Sequence, residues 1–389
     1  MLPIQSIAAR YQVILRDTTG KKVAMFDSFE LEYGKVLNDV DYHVLTLDGK
    51  DSRCELFDLD YLIDVQRSVP GCGLDWYTDY GGFHRDPTYS FQNRKYVYQS
   101  KGVGLNDLLM RTRIAYKGGT IRAEKNAPAD TVMKEYVEEN CGVSATVANG
   151  RESEGTLPGF TVEASAGTGV VWGGSKEFEN LLDILKLLGM YTDMDFAVIA
   201  NDNTSTGVPG FLFKTYNNHM GKDRTTVGLN NTTGLNAAGN VPVIFAVENG
   251  NVQSLSYIVS HIPEINVAIV LGKGDKSTRA VIAIVNNLAI AKSPWNRCET
   301  VVNANNQDFQ YQLIAAGLEA LVNGQAKEQF GFEPLQQPNA LYGKDYNLGD
   351  MVTARVKGNL IVKHKRIMAV RINVTAGRET INIDFADVL

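Results

Sequence analysis

The sequence predicts an α+β fold that is rich in β-structure, on three observations. At both ends of the chain, short apolar segments alternate with polar residues between Gly, Asp, Asn and Pro, as strands do. A few central segments carry leucines at helical spacing. Hydrophobic residues make up 44% and charged residues 21% of the 389 residues, which is typical of a folded globular chain.

Residues 1–104 are expected to form an antiparallel β domain, either a barrel or a sandwich. Segments such as YQVILRD and YHVLTLD are rich in β-branched and aromatic residues. The segment RDTTGKKVAMF is a predicted hairpin whose turn lies at Thr19 and Gly20.

Residues 105–195 are predicted to form a helical α/β domain. ADTVMKEYVEENCG is a predicted helix with Asp130 as its N-cap. SKEFENLLDILKLLGM is a second one, capped by Ser175 and stopped by Gly189. Residues 196–261 return to strands between Asn, Gly and Thr clusters and are expected to form a β-rich insert or connecting domain.

Residues 262–389 are predicted to form a second β domain with one helix. INVAIVLGKGDKSTRAVIAIVNN places two apolar strands around a Gly-Lys-Gly-Asp turn, and FQYQLIAAGLEALVNGQAKEQF is a predicted helix. In YGKDYNLGDMVTARV a turn at Gly349 and Asp350 feeds a strand, and the closing meander turns at Ala376 and Gly377. We expect Gly349 to adopt a left-handed or tightly packed conformation, where a Cβ is costly.

Patterns typical of catalysis or metal binding are weak. VLGKGDKSTR lacks the Walker spacing and precedes a strand, which favours a hairpin turn. HRD at 84–86 lacks the Asn and the Gly-rich loop of a kinase. Asp193 and Asp195 share one face if they lie on a strand, but without further ligands we expect a solvated face. We therefore expect no catalytic residue, no cofactor, no metal and no enzymatic activity.

Charge and cysteine content narrow the class of protein further. The formal net charge of -6 speaks against a broad surface that grips nucleic acid, although it is compatible with a conduit through which nucleic acid passes. No apolar run has the length of a membrane span, and the N-terminus does not have the pattern of a secretion signal. Free thiols are expected at the four scattered cysteines, Cys54, Cys72, Cys141 and Cys298.

The stretch GLDWYTDYGGFHRDPTYSF is rich in aromatic residues, and three interpretations remain open. The rings pack inside a barrel, or form a subunit interface, or bind a ligand such as carbohydrate. The candidate residues for a structural turn or a subunit interface are Trp76, Tyr77, Tyr80, Phe83, Tyr342, Gly343, Leu348, Gly349 and Asp350.

Five stretches of the chain share a further feature: FELEYGKVLNDVDYHVLTLDG, the aromatic stretch with the following YVYQSKGVGLNDLLMRTRIAYKGGT, DTVMKEYVEENCG, NVAIVLGKGDKSTRAVIAIVNNLAIAKSPWNRCETVVNAN and YGKDYNLGDMVTARV. Together they resemble the baseplate hub, also called the tail-associated hub, of long-tailed bacteriophages of the siphophage type. The resemblance covers about 1–145 and 262–389 and is weak between them.

The resemblance implies two tail-tube-like antiparallel β-barrels joined by α/β domains, one mainly within 1–104 and one within 262–389. It implies a structural protein of the virion tail, assembled in the host cytoplasm as a homotrimer. The six barrels of that trimer would adapt a six-fold tail tube to a three-fold tip and form part of the DNA conduit.

The implied partners are a hexameric distal tail or tail-tube protein, the tape measure protein and a tip spike or fibre protein. DNA would pass transiently without specific binding, and no stable membrane insertion is expected. Two alternatives stay open: a tail-tip cell-wall hydrolase, and a receptor- or glycan-binding tail protein.

Overall fold

A computed structural model describes residues 7–201, 209–305, 310–357 and 361–387. In chain order, strands β1 to β11 are Arg10–Arg16, Lys22–Phe26, Glu30–Val36, Tyr42–Asp48, Leu62–Val69, Leu74–Gln92, Lys95–Gly104, Glu124–Pro128, Phe160–Val162, Val171–Ser175 and Asp195–Asn201. Strands β12 to β22 are Gly210–Tyr216, Asp223–Arg224, Ile244–Ala246, Val252–Ser260, Val267–Leu271, Val281–Val285, Glu299–Asn303, Lys327–Pro334, Met351–Val356, Ile361–Thr375 and Arg378–Asp387. Helices α1 to α5 are Asp107–Met110, Ala129–Asn140, Leu181–Thr192, Asn287–Ile290 and Gln310–Asn323.

Fourteen strands form one large sheet, in the order β15-β19-β22-β21-β3-β4-β7-β6-β5-β1-β2, with β20 also paired to β21 and the short β13 and β14 paired to β20. Seven of these strands come from residues 10–104 and seven from residues 223–387. The two sets join where β3 and β21 pair antiparallel. Within the described residues this strand order does not close on itself. The β-rich α+β class is confirmed, and the two barrels remain a prediction.

One hydrophobic core spans both sets of strands. Val13 and Phe26 of the N-terminal strands belong to the same buried cluster as Phe245 and Ile383 of the C-terminal strands. The cluster forms because side chains alternate between the two faces of a strand, so that one apolar face of each strand turns inward. The two ends of the chain therefore share a single core.

The middle of the chain forms a separate α/β layer. Strands β8 and β10 pair with each other, and β9, β12 and β11 form a three-stranded sheet against which α2 and α3 pack. Both predicted helices are present, but their predicted N-caps are wrong. Ser175 is drawn into pairing with Glu124, and Asn180 instead caps α3 by accepting the Asp183 N–H at 3.2 Å. Asp130 lies inside the first turn of α2, and α3 continues past Gly189.

A third unit lies between β15 and β19. Strands β16 and β17 form the predicted hairpin, β18 pairs parallel to β16, and α5 packs on this sheet. The predicted helix is too long, because α5 ends at Asn323 and Lys327–Pro334 is strand β19. A Cβ on Gly324 would lie 2.5 Å from the Ile265 Cβ, so the helix ends at a glycine in a close contact. From the predicted second β domain, only the strands from Lys327 onward join the large sheet.

Candidate functional site

The aromatic candidates lie along β6 and divide between its two faces. Trp76 is 47% exposed, whereas Tyr80 and Phe83 are buried. The Tyr80 hydroxyl lies 2.9 Å from Nδ1 of His43, and the ring of Phe83 packs against that of Phe211 with centroids 5.6 Å apart. Tyr80 and Phe83 therefore serve packing, whereas Trp76 is open to solvent, as are Tyr89 at 56% and Phe91 at 60% further along the strand.

The closing stretch of the chain packs directly against β6. Tyr342 is fully buried, and its hydroxyl donates to Oδ1 of Asp79 at 2.9 Å. Gly343 has a φ of +85°, and a Cβ there would lie 2.3 Å from the Tyr77 hydroxyl oxygen. Two stretches from opposite ends of the sequence, both singled out as candidates, thus meet in space.

Residues 348–350 of the closing stretch pack closely against residues 220–224. Leu348 packs against the core, and Gly349 has a φ of +86°, the left-handed conformation expected for it. Asp350 accepts hydrogen bonds from the backbone N–H of Lys222 at 2.6 Å and from Nε of Arg224 at 3.2 Å. Burial raises the pKa of Asp350, and these donors oppose the rise. Gly349 and Asp350 therefore fix how the chain enters β20.

A buried polar cluster lies where β6 and the closing stretch meet. Asp79 accepts hydrogen bonds from the hydroxyls of Tyr33 at 2.6 Å and Tyr342 at 2.9 Å, and from Nζ of Lys35 at 3.0 Å. Burial disfavours its charged form, but Lys35 and the two hydroxyl donors outweigh burial and hold the pKa of Asp79 below its usual range. Asp79 is therefore a satisfied buried carboxylate.

A second buried ion pair adjoins this cluster. The guanidinium of Arg67, which is fully buried, lies 2.8 Å from Oε1 of Glu379, whose side chain is 4% exposed. Arg67 also donates to the backbone oxygen of Tyr342 at 2.9 Å and to the Tyr77 hydroxyl at 3.3 Å, while the Tyr11 hydroxyl donates to Glu379 at 2.5 Å. These contacts tie β1, β5 and β6 to β22 through polar groups that have partners.

The acidic pair in YTDMDF does not form the expected solvated face. Asp193 is exposed at the end of α3, but Asp195 is buried and accepts hydrogen bonds from Nδ2 of Asn38 at 2.8 Å, from the backbone N–H of Met220 at 2.5 Å, and from Arg366. The expectation is wrong for Asp195 because its partners lie far away in sequence. Its role is to dock the α/β layer on β21.

Within the described part of the chain, no group of three or more His, Cys, Asp or Glu side chains is arranged to hold a metal ion. None of the described helices combines the length and the apolar character needed to cross a membrane.

The fold is that of bacteriophage tail proteins. The prophage MuSo2 43 kDa tail protein of Shewanella oneidensis matches with a TM-score of 0.56 and 10% identity, over 98% of each chain. The tail protein of Neisseria meningitidis MC58 matches with a TM-score of 0.53 and 8% identity, over 98% of this chain and 96% of the other. A chain of the lidded PdpA–VgrG complex of Francisella matches with a TM-score of 0.52 and 8% identity, over 100% of this chain and 53% of that one.

The sequence itself matches the model of the Siphovirus ReqiPepy6 Gp37-like protein family over residues 118–385. The chain belongs to this family, and the resemblance to the tail proteins of long-tailed phages is confirmed. Among curated proteins, none matches this sequence.

Proposed function

We propose that this tail protein is the baseplate hub at the distal end of the phage tail. In this role three copies form a ring that adapts the six-fold tail tube to a three-fold tip. The ring surrounds part of the path through which DNA leaves the virion. The hexameric distal tail or tail-tube protein lies on one side, and the tape measure and a spike or fibre protein complete the assembly.

The observation that carries this proposal is the composition of the large sheet, in which each end of the chain contributes seven strands. If these two sets of seven strands act as two β units, a trimer would present six such units to a six-fold partner. Closed rotational symmetry is the usual form of a soluble oligomer, and a three-fold ring requires heterologous contacts. The fold shared along its whole length with prophage tail proteins supports the same role.

Charge is compatible with a conduit. The net charge of -6 on each copy disfavours retention of a polyanion, because binding to DNA depends on neutralising its phosphates with Lys and Arg. DNA would therefore pass without specific binding.

The mass of the purified chain in solution tests the proposal. We expect a particle of three times 42.7 kDa, and electron microscopy should show a ring with an axial opening of roughly 20 Å or more, enough for duplex DNA. Contacts between copies should bury well above ~1,000 Å² each. A monomer, or a two-fold dimer without an axial opening, would contradict the proposal.

A further inference from the structure

An open cavity of about 480 Å³ lies beside Trp76. The start of β1, the turn between β2 and β3, and the turn between β21 and β22 form its other walls. The side chains that matter for its chemistry are Arg10, Tyr11, Asp27, Ser28, Phe29 and Trp76. This volume falls in the range of small-molecule sites, which are roughly 300–1,000 Å³.

Trp76 gives the cavity a flat apolar wall. Its neighbour Tyr77 points toward the buried Arg67, so the alternation of a strand turns Trp76 to the other face of β6, where it remains 47% exposed. The face of an indole ring carries partial negative charge and attracts the weakly positive C–H groups of a ligand laid flat on it. A pyranose sugar presents such a C–H face.

Polar side chains surround this ring. Within the described residues, the side chains of Arg10 and Ser28 have no hydrogen-bond or ion-pair partner, and Asp27 interacts electrostatically with Arg53. Together they offer guanidinium donors, carboxylate acceptors and a hydroxyl that can do both. Because the cavity has one positive and one negative group, it has no preference for a ligand of either charge. Hydrogen-bond donors and acceptors together can bind the hydroxyl groups of a neutral sugar.

Tyr11, which forms one wall of the cavity, is fixed by hydrogen bonds to buried residues. The Tyr11 hydroxyl donates to Glu379 at 2.5 Å and accepts from Nε of Arg67 at 3.0 Å, both within the buried cluster. A wall that is already ordered loses little conformational freedom when a ligand binds. The cavity is therefore preorganised on the side where Tyr11 lies.

We propose that this cavity binds a neutral carbohydrate, with Trp76 as the stacking surface and Arg10, Asp27 and Ser28 as hydrogen-bonding groups. The concave shape favours a sugar over a flat protein surface. This binding activity goes beyond the hub role and does not depend on it.

The test is saturation-transfer NMR on the purified full chain with glucose, galactose, rhamnose and N-acetylglucosamine as probes. We expect transfer to the ring protons of at least one sugar, and an affinity for it that falls at least tenfold in Trp76→Ala. Trp76→Phe should retain part of the binding because it keeps an aromatic face. Trp295→Ala is the matched control, since Trp295 is 89% exposed and lies outside this cavity.

Two results would overturn the proposal. One is the absence of saturation transfer to any of the four sugars, and the other is wild-type affinity in a folded Trp76→Ala. If Trp76→Ala instead lowers the oligomeric mass and leaves sugar signals unchanged, the cavity is a protein interface. The mass of the wild-type chain, measured on the same sample, reports on the hub role separately.

Discussion

Arg67 and Glu379 lie 312 residues apart in sequence and form a buried ion pair. Removing one partner leaves an uncompensated buried charge, so Arg67→Met should lower the free energy of unfolding by roughly 3–5 kcal/mol. Replacing both groups in Arg67→Met/Glu379→Met removes both charges, and we expect a smaller loss than in the single variant. Urea denaturation of the purified variants measures both effects.

The control is the pair Arg371 and Asp384, whose side chains are 47% and 43% exposed. Because water screens this pair, Arg371→Ala should cost less than about 1 kcal/mol. Equal costs for Arg67→Met and Arg371→Ala would show that the buried pair contributes no more than an exposed one.

Asp41 gives a prediction about pH. Burial raises the pKa of its carboxyl to about 7, against about 3.9 in an unfolded chain, while the backbone N–H of Val36 donates to it at 2.7 Å. Between about pH 4 and pH 7 we therefore expect the folded chain to hold a proton that the unfolded chain has released. Stability should fall as the pH rises from about 4 through 7.

Asp41→Asn keeps an acceptor for the Val36 N–H and cannot ionise. Its stability relative to the native chain should improve by about 1 kcal/mol or more between pH 5 and pH 8, measured by thermal unfolding across that range. The exposed Asp75→Asn serves as the control. A difference between Asp41→Asn and the native chain that stays constant with pH would show that the pKa of this carboxyl is not raised in the folded chain.

At the scale of elements, Gly349 combines a positive φ with a close contact. A Cβ there would lie 2.4 Å from the backbone oxygen of Met220, at φ +86°. Gly349→Val should therefore destabilise the chain by roughly 1–3 kcal/mol or more. Gly377→Val is the matched control, because Gly377 has φ +74° but nothing within 4 Å of its Cβ. Similar melting of the two variants would mean that the contact with Met220 adds no cost.

Local features of the elements could be predicted from sequence, and features set by distant partners could not. The turns at Thr19-Gly20 and Ala376-Gly377 are present because glycine adopts a positive φ without steric cost, as at Gly20 with +81° and Gly377 with +74°. Ser175 looked like a helix cap because Ser often is one, but pairing with β8 overrides this preference. The residue at which α3 begins is therefore set by strand pairing elsewhere in the fold, not by the local sequence alone.

The candidate site shows the same division. The aromatic stretch around Trp76 and the turn-containing stretch that begins at Tyr342 are both visible in the sequence, and the structure places Tyr342 against β6. Arg67, Asp79 and Glu379, which hold the site together, had no signal in the sequence. An isolated charged residue in a strand is normally exposed, and only pairing across the fold reveals that these three are buried.

At the scale of the whole molecule, the fold matches tail proteins that share only 8–10% of its residues over nearly the full chain. Such agreement is possible because strand alternation, turn residues and a filled core define a fold with many side-chain combinations. This tolerance explains why short sequence patterns, rather than a high number of identical residues, indicate the resemblance to phage tail proteins. The strand order, by contrast, depends on the pairing of β3 with β21, which no local pattern encodes.

That pairing predicts that the N-terminal half of the sheet does not fold alone. In a fragment of residues 1–104, β3 loses its partner β21, Arg67 loses Glu379, and the shared core loses its C-terminal half. Buried apolar surface would be exposed, and Arg67 would have to stay charged without a partner. We expect this fragment to give no cooperative unfolding transition and poor dispersion of its NMR signals.

Fragments 1–201 and 209–389, expressed together, should instead copurify and unfold as one unit, because both halves of the sheet and core are then present. Calorimetry on the copurified pair and on fragment 1–104 compares the two cases. A cooperative transition in fragment 1–104 alone would show that the first β domain is autonomous. The pairing of β3 with β21 would then be a contact between two finished domains. If fragment 1–104 shows no cooperative unfolding and the copurified pair does, the two halves of the sheet fold only in combination. The reason would be that the buried polar cluster and the hydrophobic core both include residues from the two halves.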